Sequence, residues 1–247
     1  MKRDSRNRLR IGRVLLGILL PERCPYCNDV VRIGEGVCPK CRTELPRQPE
    51  PICGDCGQSK AVCGGRCRAG YADGMTAPYI YRGTVRDAIL RFKHSGTGLA
   101  AQIFAADMAE SVARQWADLT FDAVVFVPMT KRQLRRREYN QSEWLAREVG
   151  RRLGVPVWNA LLKTTETKPQ KSLSAQHRAA NVRGTLDVAD DFRSRLSGKR
   201  LLLVDDLATT GSTVQECALM LKLYGVEAVY AVTLARTWQD DAETEEE

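Results

Sequence analysis

Residues 201–213 read LLLVDDLATTGST, which joins an apolar run, an acidic pair and a hydroxyl-rich turn. The four apolar residues at 201–204 predict a strand that is buried on both faces, as is typical of parallel sheets. The acidic pair is expected to follow the end of that strand, and Val214, Cys217 and Leu221 then recur at helical spacing. This order of strand, acids, turn and helix predicts an α/β domain with a mostly parallel sheet.

The acids and the turn together indicate a ligand with a phosphate at one end and a diol beside it. In open α/β sheets, ligands lie outside the carboxyl ends of the strands, where a helix N-terminus offers free N–H groups and positive potential. Asp205 and Asp206 only accept hydrogen bonds when ionised, which suits two neighbouring hydroxyls. The candidate phosphate-binding residues are Thr209, Thr210, Gly211, Ser212 and Thr213. A ribose 5-phosphate has the required chemistry.

The alternative interpretation of this stretch is an ordinary buried strand followed by a capped helix. It accounts for one hydroxyl cap and one turn Asp, but not for an acidic pair with four hydroxyl residues and a Gly behind it. The stretch resembles the phosphoribosyl-pyrophosphate (PRPP) motif of type I phosphoribosyltransferases. That resemblance implies the ligand and leaves the acceptor open, since some proteins with this motif are transferases and others are regulators.

The cysteines form a second pattern near the start of the chain. Of nine cysteines, all but Cys217 lie between residues 24 and 67, mostly in C-x2-C pairs. Such pairs predict two closed, structural Zn²⁺ sites, which would supply folding free energy to a segment with little core. Disulfides are the alternative for a secreted protein. The candidate zinc ligands are Cys24, Cys27, Cys38 and Cys41 for one ion and Cys53, Cys56, Cys63 and Cys67 for the other.

Positive charge is concentrated outside the C-terminal residues. The chain has a formal net charge of +8 although residues 238–247 are strongly acidic, which favours a polyanionic partner or simply aids solubility. The run KRQLRRR at 131–137 follows a predicted strand at 122–127. Lys131 and Arg132 are candidate contacts for a leaving pyrophosphate, and Arg178 is a candidate phosphate contact. A solvated basic face is the equal alternative for the run. Lys93 could reach a phosphate, but solvation is the favoured interpretation for a single lysine.

The predicted organisation has four parts. Residues 1–20 are expected to form an amphipathic basic helix, 21–70 the double zinc ribbon, 75–237 the phosphoribosyltransferase-like domain, and 238–247 a disordered acidic tail. A polar segment at 164–174 is a candidate lid over the site. No run reaches the ~18 apolar residues of a membrane span, so a cytoplasmic protein is expected.

Over most of its length the chain resembles the ComF (ComF/GntX) family. The similarity rests on the cysteine pattern, FKHSG at 92–96, Val127-Pro128, the RxxxNQ of 137–141, QxxL at 170–173 and RxxN at 178–181. It departs where family members have Leu-His and Gly-Phe, here Met129-Thr130 and Glu138-Tyr139. The first change removes a possible pyrophosphate contact, and the second places a carboxylate beside the basic run.

The family resemblance implies a double zinc ribbon fused to a type I phosphoribosyltransferase fold. It implies PRPP bound with Mg²⁺, phosphoribosyl transfer to an unknown acceptor, and a link to DNA uptake in natural transformation. A different class of function stays open: a non-catalytic protein that binds single-stranded DNA or serves as an adaptor for a helicase or recombination protein. Base stacking on aromatic side chains and a steep salt dependence are expected of such a protein.

Overall fold

The structure is a computed structural model, and it describes residues 21–65, 67, 70–163 and 186–238. The predictions for the N-terminal helix, the lid at 164–174, Arg178 and nearly all of the acidic tail lie outside these residues. Two short helices belong to the cysteine-rich part, α1 (Pro39–Glu44) and α2 (Lys60–Cys63). Among the described residues, no helix is both long enough and apolar enough to span a bilayer.

The α/β domain begins at β1. Its strands are β1 (Gly74–Thr76), β2 (Tyr79–Ile80), β3 (Ala123–Phe126), β4 (Leu161–Lys163), β5 (Leu186–Val188), β6 (Arg200–Ala208) and β7 (Ala228–Arg236). Its helices are α3 (Gly83–Ser95), α4 (Gly98–Gln115), α5 (Lys131–Arg137), α6 (Gln141–Leu153), α7 (Asp190–Arg193) and α8 (Ser212–Leu223). The helix predicted from the spacing of Val214, Cys217 and Leu221 is therefore present as α8.

A five-stranded parallel sheet forms the centre of the domain. Its order is β1-β7-β6-β3, and β2 pairs with β7 beyond β1 on the same edge. Pro78 lies between the two short edge strands, where the missing N–H of proline is tolerated. The α/β class with a mostly parallel sheet is confirmed. A separate antiparallel pair, β4 with β5, lies outside this sheet.

Both faces of the sheet are covered, as the apolar runs predict. Leu202 and Val204 of β6 join a core that includes Phe104 of α4 and Leu145 of α6. Leu201 and Leu203 point the other way, into a core that includes residues of α8. Because side chains alternate along a strand, a strand buried on both faces needs the uninterrupted apolar sequence seen at 201–204.

The prediction that the strand ends before the acidic pair is wrong. β6 continues through Asp205 and Asp206 to Ala208, since β7 also continues and pairs with it as far as Arg236. On the other side, β3 stops at Phe126, which is opposite Val204. The acidic pair thus has a strand on one side only, and this opens the other side to the start of α6.

Candidate functional site

The acidic pair (Asp205 and Asp206) lies almost wholly below the surface, with exposed fractions of 8% and 7%. The Ser142 hydroxyl donates to Oδ1 of Asp205 over 2.7 Å, and the backbone N–H of Asp206 donates to the same oxygen over 2.9 Å. The ammonium of Lys93 lies 3.3 Å from Oδ2 of Asp206. Each acid therefore has a partner from a different helix, α6 for Asp205 and α3 for Asp206.

Burial changes the protonation of both acids. Desolvation, followed by the neighbouring charge of Asp206, raises the pKa of Asp205 to about 7. Desolvation also raises the pKa of Asp206, although Lys93 and Arg137 oppose that shift. Two buried carboxylates with one close ammonium between them carry uncompensated negative charge. A divalent cation with oxygen ligands, such as Mg²⁺, fits this donor set.

The RxxxNQ motif at 137–141 holds the acidic pair's surroundings together. The Asn140 side chain caps α6 by accepting from the Ser142 N–H over 3.0 Å, and its amide donates to the Val127 carbonyl over 3.1 Å. The Gln141 amide donates to the Lys93 carbonyl over 3.0 Å. Asn140 thus joins α6 to the end of β3, and Gln141 joins it to the end of α3. Ser142 was missed in the sequence because serines at a helix start are common caps.

Glu138 and Tyr139, the two middle residues between Arg137 and Asn140, have separate structural roles. Glu138 ends α5 with φ of 67°, in the left-handed region that glycine adopts at least cost. The Tyr139 hydroxyl donates to the Phe92 carbonyl and accepts from the Gly96 N–H over 2.7 Å. Tyr139 therefore supports the end of α3 next to Lys93, with a hydroxyl that a Phe would lack.

The hydroxyl turn (residues 209–213) lies beyond the end of β6, beside the acidic pair. Thr209, Thr210 and Ser212 are exposed, and Gly211 takes φ of 81° as the N-cap of α8. Gly211 has no side chain to cap α8, although the Ser212 N–H donates to the Thr210 hydroxyl over 3.3 Å, and the other N–H groups of the first turn lack an intrahelical acceptor. The Thr210 hydroxyl donates to that of Ser212 over 3.1 Å. This turn is open to an anion, whereas the acidic pair is enclosed.

The basic run occupies a helix, α5, that lies at the surface of the described part of the chain. α5 has no buried residue, and Lys131 and Arg132 at its start are exposed. Thr130 and Gln133 form a capping box at its N-terminus. The cations whose charge reaches Asp206 are instead Lys93 and Arg137. The structure thus gives Lys93 a place in the site and leaves Lys131 and Arg132 on an exposed surface.

The eight predicted zinc ligands form two groups of four. In each group the sulfur atoms all lie within 4.8 Å of one another. The Sγ atoms of Cys27 and Cys38 are 3.6 Å apart, and those of Cys53 and Cys67 are 3.7 Å apart. A tetrahedral Zn²⁺ with Zn–S bonds of about 2.3 Å requires sulfurs about 3.8 Å apart. Both groups therefore fit Zn²⁺. Cys217 belongs to neither group: it is a buried residue of α8 in the core on the other face of the sheet.

These features define a class of protein: a double zinc ribbon joined to an α/β domain with a mostly parallel sheet. Residues 15–70 match the family model described as "Double zinc ribbon domain". "Competence protein F" of Haemophilus influenzae is 30% identical over 224 residues, covering 87% of this chain and 96% of that protein. "DNA utilization protein YhgH" of Escherichia coli K12 is 30% identical over 239 residues, covering 89% and 99%. The chain belongs to the ComF family.

One solved structure with a partial likeness is a glutamine PRPP amidotransferase from B. subtilis, complexed with ADP and GMP. It is 21% identical with a TM-score of 0.39, and the match covers 54% of this chain and 26% of that one.

Proposed function

We propose that this protein binds PRPP, or a related ribose 5-phosphate, together with Mg²⁺. The observation that carries the proposal is the enclosed acidic pair, held by Ser142 and Lys93, directly beside the open hydroxyl turn. The turn suits the 5-phosphate because it combines outward N–H groups, side-chain hydroxyls and a positive helix end. The acidic pair suits the ribose hydroxyls, either directly or through the cation.

As an enzyme, the protein would be a phosphoribosyltransferase. The bond between the anomeric carbon and a pyrophosphate oxygen breaks, the pyrophosphate leaves with the electron pair, and an acceptor nucleophile bonds to the carbon. Asp205 and Asp206 would stabilise the positive charge that develops on the sugar ring. Lys131 and Arg132 would neutralise the departing pyrophosphate, because their helix starts three residues after Pro128 beside the end of β3. The acceptor stays open.

Calorimetry with PRPP and Mg²⁺ tests the binding step. We expect the wild-type protein to give a saturable heat and Asp205→Asn with Asp206→Asn to abolish it, since the diol and cation ligands are removed together. The matched control is Asp190→Asn, because that carboxylate is 86% exposed on α7. No heat from the wild type, or equal heats from the wild type and the double variant, would refute the proposal. Isotope-labelled PRPP with a panel of bases and nucleotides then tests transfer.

We also propose that the protein acts in DNA uptake. The support comes from the names of its relatives, a competence protein and a DNA utilization protein. Deletion of the gene in a naturally transformable host, complemented by the wild type or by the double Asn variant, tests this role. Restored transformation by the wild type alone would place the PRPP site within the uptake function, whereas wild-type transformation by the deletion strain would count against it.

A second candidate function is binding of single-stranded DNA, alone or as an adaptor for helicase or recombination proteins. The specific observation in its favour is α5, which presents Lys131, Arg132, Arg135 and Arg136 to solvent with no buried residue. Phosphate contacts by these cations would weaken steeply with salt. Gel shifts of an oligonucleotide should show binding at low salt that falls on replacing the four residues by Gln. A shift that salt leaves unchanged contradicts this function.

A further inference from the structure

Arg236 is a buried cation that the proposed mechanism does not use. It is the last residue of β7, is 8% exposed, and pairs in register with Ala208 at the end of β6. Its Nη1 donates to the Met75 sulfur over 3.0 Å, and its buried Nε has no hydrogen-bond partner among the described residues. A guanidinium so placed has lost most of its hydration, and a thioether is only a weak acceptor.

The guanidinium of Arg236 lies directly behind the hydroxyl turn. A Cβ atom added at Gly211 would lie 3.3 Å from Nη1 and 3.9 Å from Nη2 of Arg236. Gly211 is the N-cap of α8 and carries no side-chain cap. A buried guanidinium with an unpaired Nε and a helix N-terminus whose N-cap has no side chain therefore converge on the same turn, and both favour an anion there.

The second cysteine cluster (Cys53, Cys56, Cys63 and Cys67) is attached to the sheet at this same place. The Gly54 carbonyl accepts from the Met75 N–H over 2.7 Å. The Gln58 amide donates to the carbonyl of Thr237 over 2.8 Å, and the Thr237 N–H donates to the carbonyl of Ala208 over 3.1 Å. The segment that carries the cluster thus bonds to Thr237, the residue after Arg236, and to Met75, whose sulfur contacts the guanidinium.

Charge explains why a buried arginine is tolerated here. Burial lowers the pKa of Arg236, and the negative charge of the four cysteines, Cys56 first, opposes that shift. Four thiolates around one Zn²⁺ would retain a net charge of −2, opposite in sign to the charge of Arg236. A loaded cluster would therefore hold the guanidinium in place beneath Gly211.

We propose that Arg236 is a positioning residue of the hydroxyl turn, that the second cysteine cluster holds it there, and that metal in this cluster therefore strengthens phosphate binding at the turn. The proposal rests on the proposed function, because it takes the turn as the 5-phosphate site. It makes the second zinc ribbon a part of the ligand site and gives the metal a regulatory effect on affinity.

The test is a double-mutant cycle on the full chain, with ribose 5-phosphate as the probe in calorimetry. Ribose 5-phosphate keeps the 5-phosphate and the ribose hydroxyls and lacks the pyrophosphate, so contacts with the leaving group do not contribute to its affinity. We expect Arg236→Met to weaken binding about tenfold, the effect of a nearby partly screened charge, and Cys56→Ser to weaken it by a similar factor. The affinity of the double variant should also be about tenfold lower than that of the wild type, and not about a hundredfold lower, because the two substitutions disrupt the same interaction. The control Arg151→Met removes an exposed cation of α6.

Zinc release to a chromogenic chelator is the second measurement and needs no ligand. Arg236→Met should release one of two zinc equivalents faster than the wild type or Arg151→Met, because the loaded cluster loses the opposite charge of Arg236. Arg236→Met replaces no metal ligand, so its affinity and zinc release decide the matter even if Cys56→Ser does not fold.

Three results would overturn the inference. They are ribose 5-phosphate affinity of Arg236→Met equal to that of Arg151→Met, additive losses in the double variant, and unchanged zinc release. If the wild type binds neither PRPP nor ribose 5-phosphate, the proposed function fails and the inference fails with it. If the wild type binds and Arg236→Met binds equally well, the inference alone is wrong.

Discussion

The two cysteine clusters have the same ligands and different relations to the domain. The first (Cys24, Cys27, Cys38 and Cys41) belongs to the main hydrophobic core, and Tyr26 between its first two cysteines is 1% exposed. The second forms a small apolar cluster of its own cysteines. The first cluster packs within the main core, whereas the second contacts the domain through a few polar groups. The same metal pattern can therefore be part of a core in one place and an accessory in another.

Each cluster also lies behind a different half of the candidate site. Arg91 of α3 donates to the carbonyls of Pro25 and Tyr26 in the first cluster, and Lys93, two residues later, contacts Asp206. The second cluster lies behind the hydroxyl turn through Arg236. The first cluster, which is part of the main core, is thus connected to the acidic pair. The second cluster, which has few contacts with the domain, is connected to the hydroxyl turn. Perturbing each cluster should therefore give different results.

The largest expected difference is in stability after loss of one metal ligand. Cys41→Ser should remove the first metal and, with it, the cooperative unfolding transition, because structural zinc supplies on the order of 10 kcal/mol and this cluster is core. Cys56→Ser should leave the main transition within about 2 kcal/mol of wild type. Calorimetric unfolding with a zinc assay measures both. Equal destabilisation by the two variants would abolish the distinction between the clusters.

The acidic half should be stabilised by losing a charge, at the cost of ligand binding. The folded-state pKa of Asp205, about 7, lies above its ordinary value of 3.8. The folded state therefore holds this proton more tightly, and ionisation lowers stability progressively as pH rises from about 4 to about 7. Asp205→Asn should raise the unfolding free energy by about 2 kcal/mol at pH 8 and by little at pH 4. Urea unfolding at both pH values measures this gain.

The corresponding change in the open half provides the control for that prediction. Thr210 is exposed, so Thr210→Val should change the unfolding free energy by less than about 0.5 kcal/mol at either pH. A pH-independent gain for Asp205→Asn, or an equal gain for Thr210→Val, would mean that burial does not separate the two halves.

The contacts that join each cluster to the domain should differ in strength as well. The Tyr26 hydroxyl donates to Asp107, a largely buried carboxylate whose pKa desolvation raises. Tyr26→Phe should cost about 2 kcal/mol, because it removes a hydrogen-bond donor from that carboxylate and leaves it with Tyr79. Gln58→Met removes a neutral hydrogen bond to a backbone carbonyl and should cost about 1 kcal/mol. Thermal unfolding of the two variants compares the contacts of the two clusters with the domain. A larger loss of stability for Gln58→Met than for Tyr26→Phe would contradict the prediction.

Local patterns in the sequence predicted some features well. The apolar run at 201–204 and the cysteine spacing are each compatible with few structures. The parallel strand and the two clusters were therefore predicted correctly. The length of β6 was not, because it depends on where β7 and β3 end. The partners of the acidic pair, Ser142 and Lys93, were not assigned either. They come from helices 63 and 113 residues away along the chain, and only the fold brings them together.

The smallest expected effect concerns Glu138, which ends α5 in the left-handed region. At a φ of 67°, a residue with a Cβ atom has a higher backbone conformational energy than glycine. Replacement by glycine removes this strain, but glycine loses more conformational entropy on folding, so the two effects partly cancel. Glu138→Gly should therefore stabilise the protein by only about 0.5 kcal/mol, measured by urea unfolding. Glu138→Gln removes the charge and keeps the Cβ atom, so it should leave stability unchanged. If Gln stabilises as much as Gly, the cause is the carboxylate beside the basic run and not the backbone. The stability of the acidic half would then be lowered by the carboxylate of Glu138 as well as by the charges of Asp205 and Asp206.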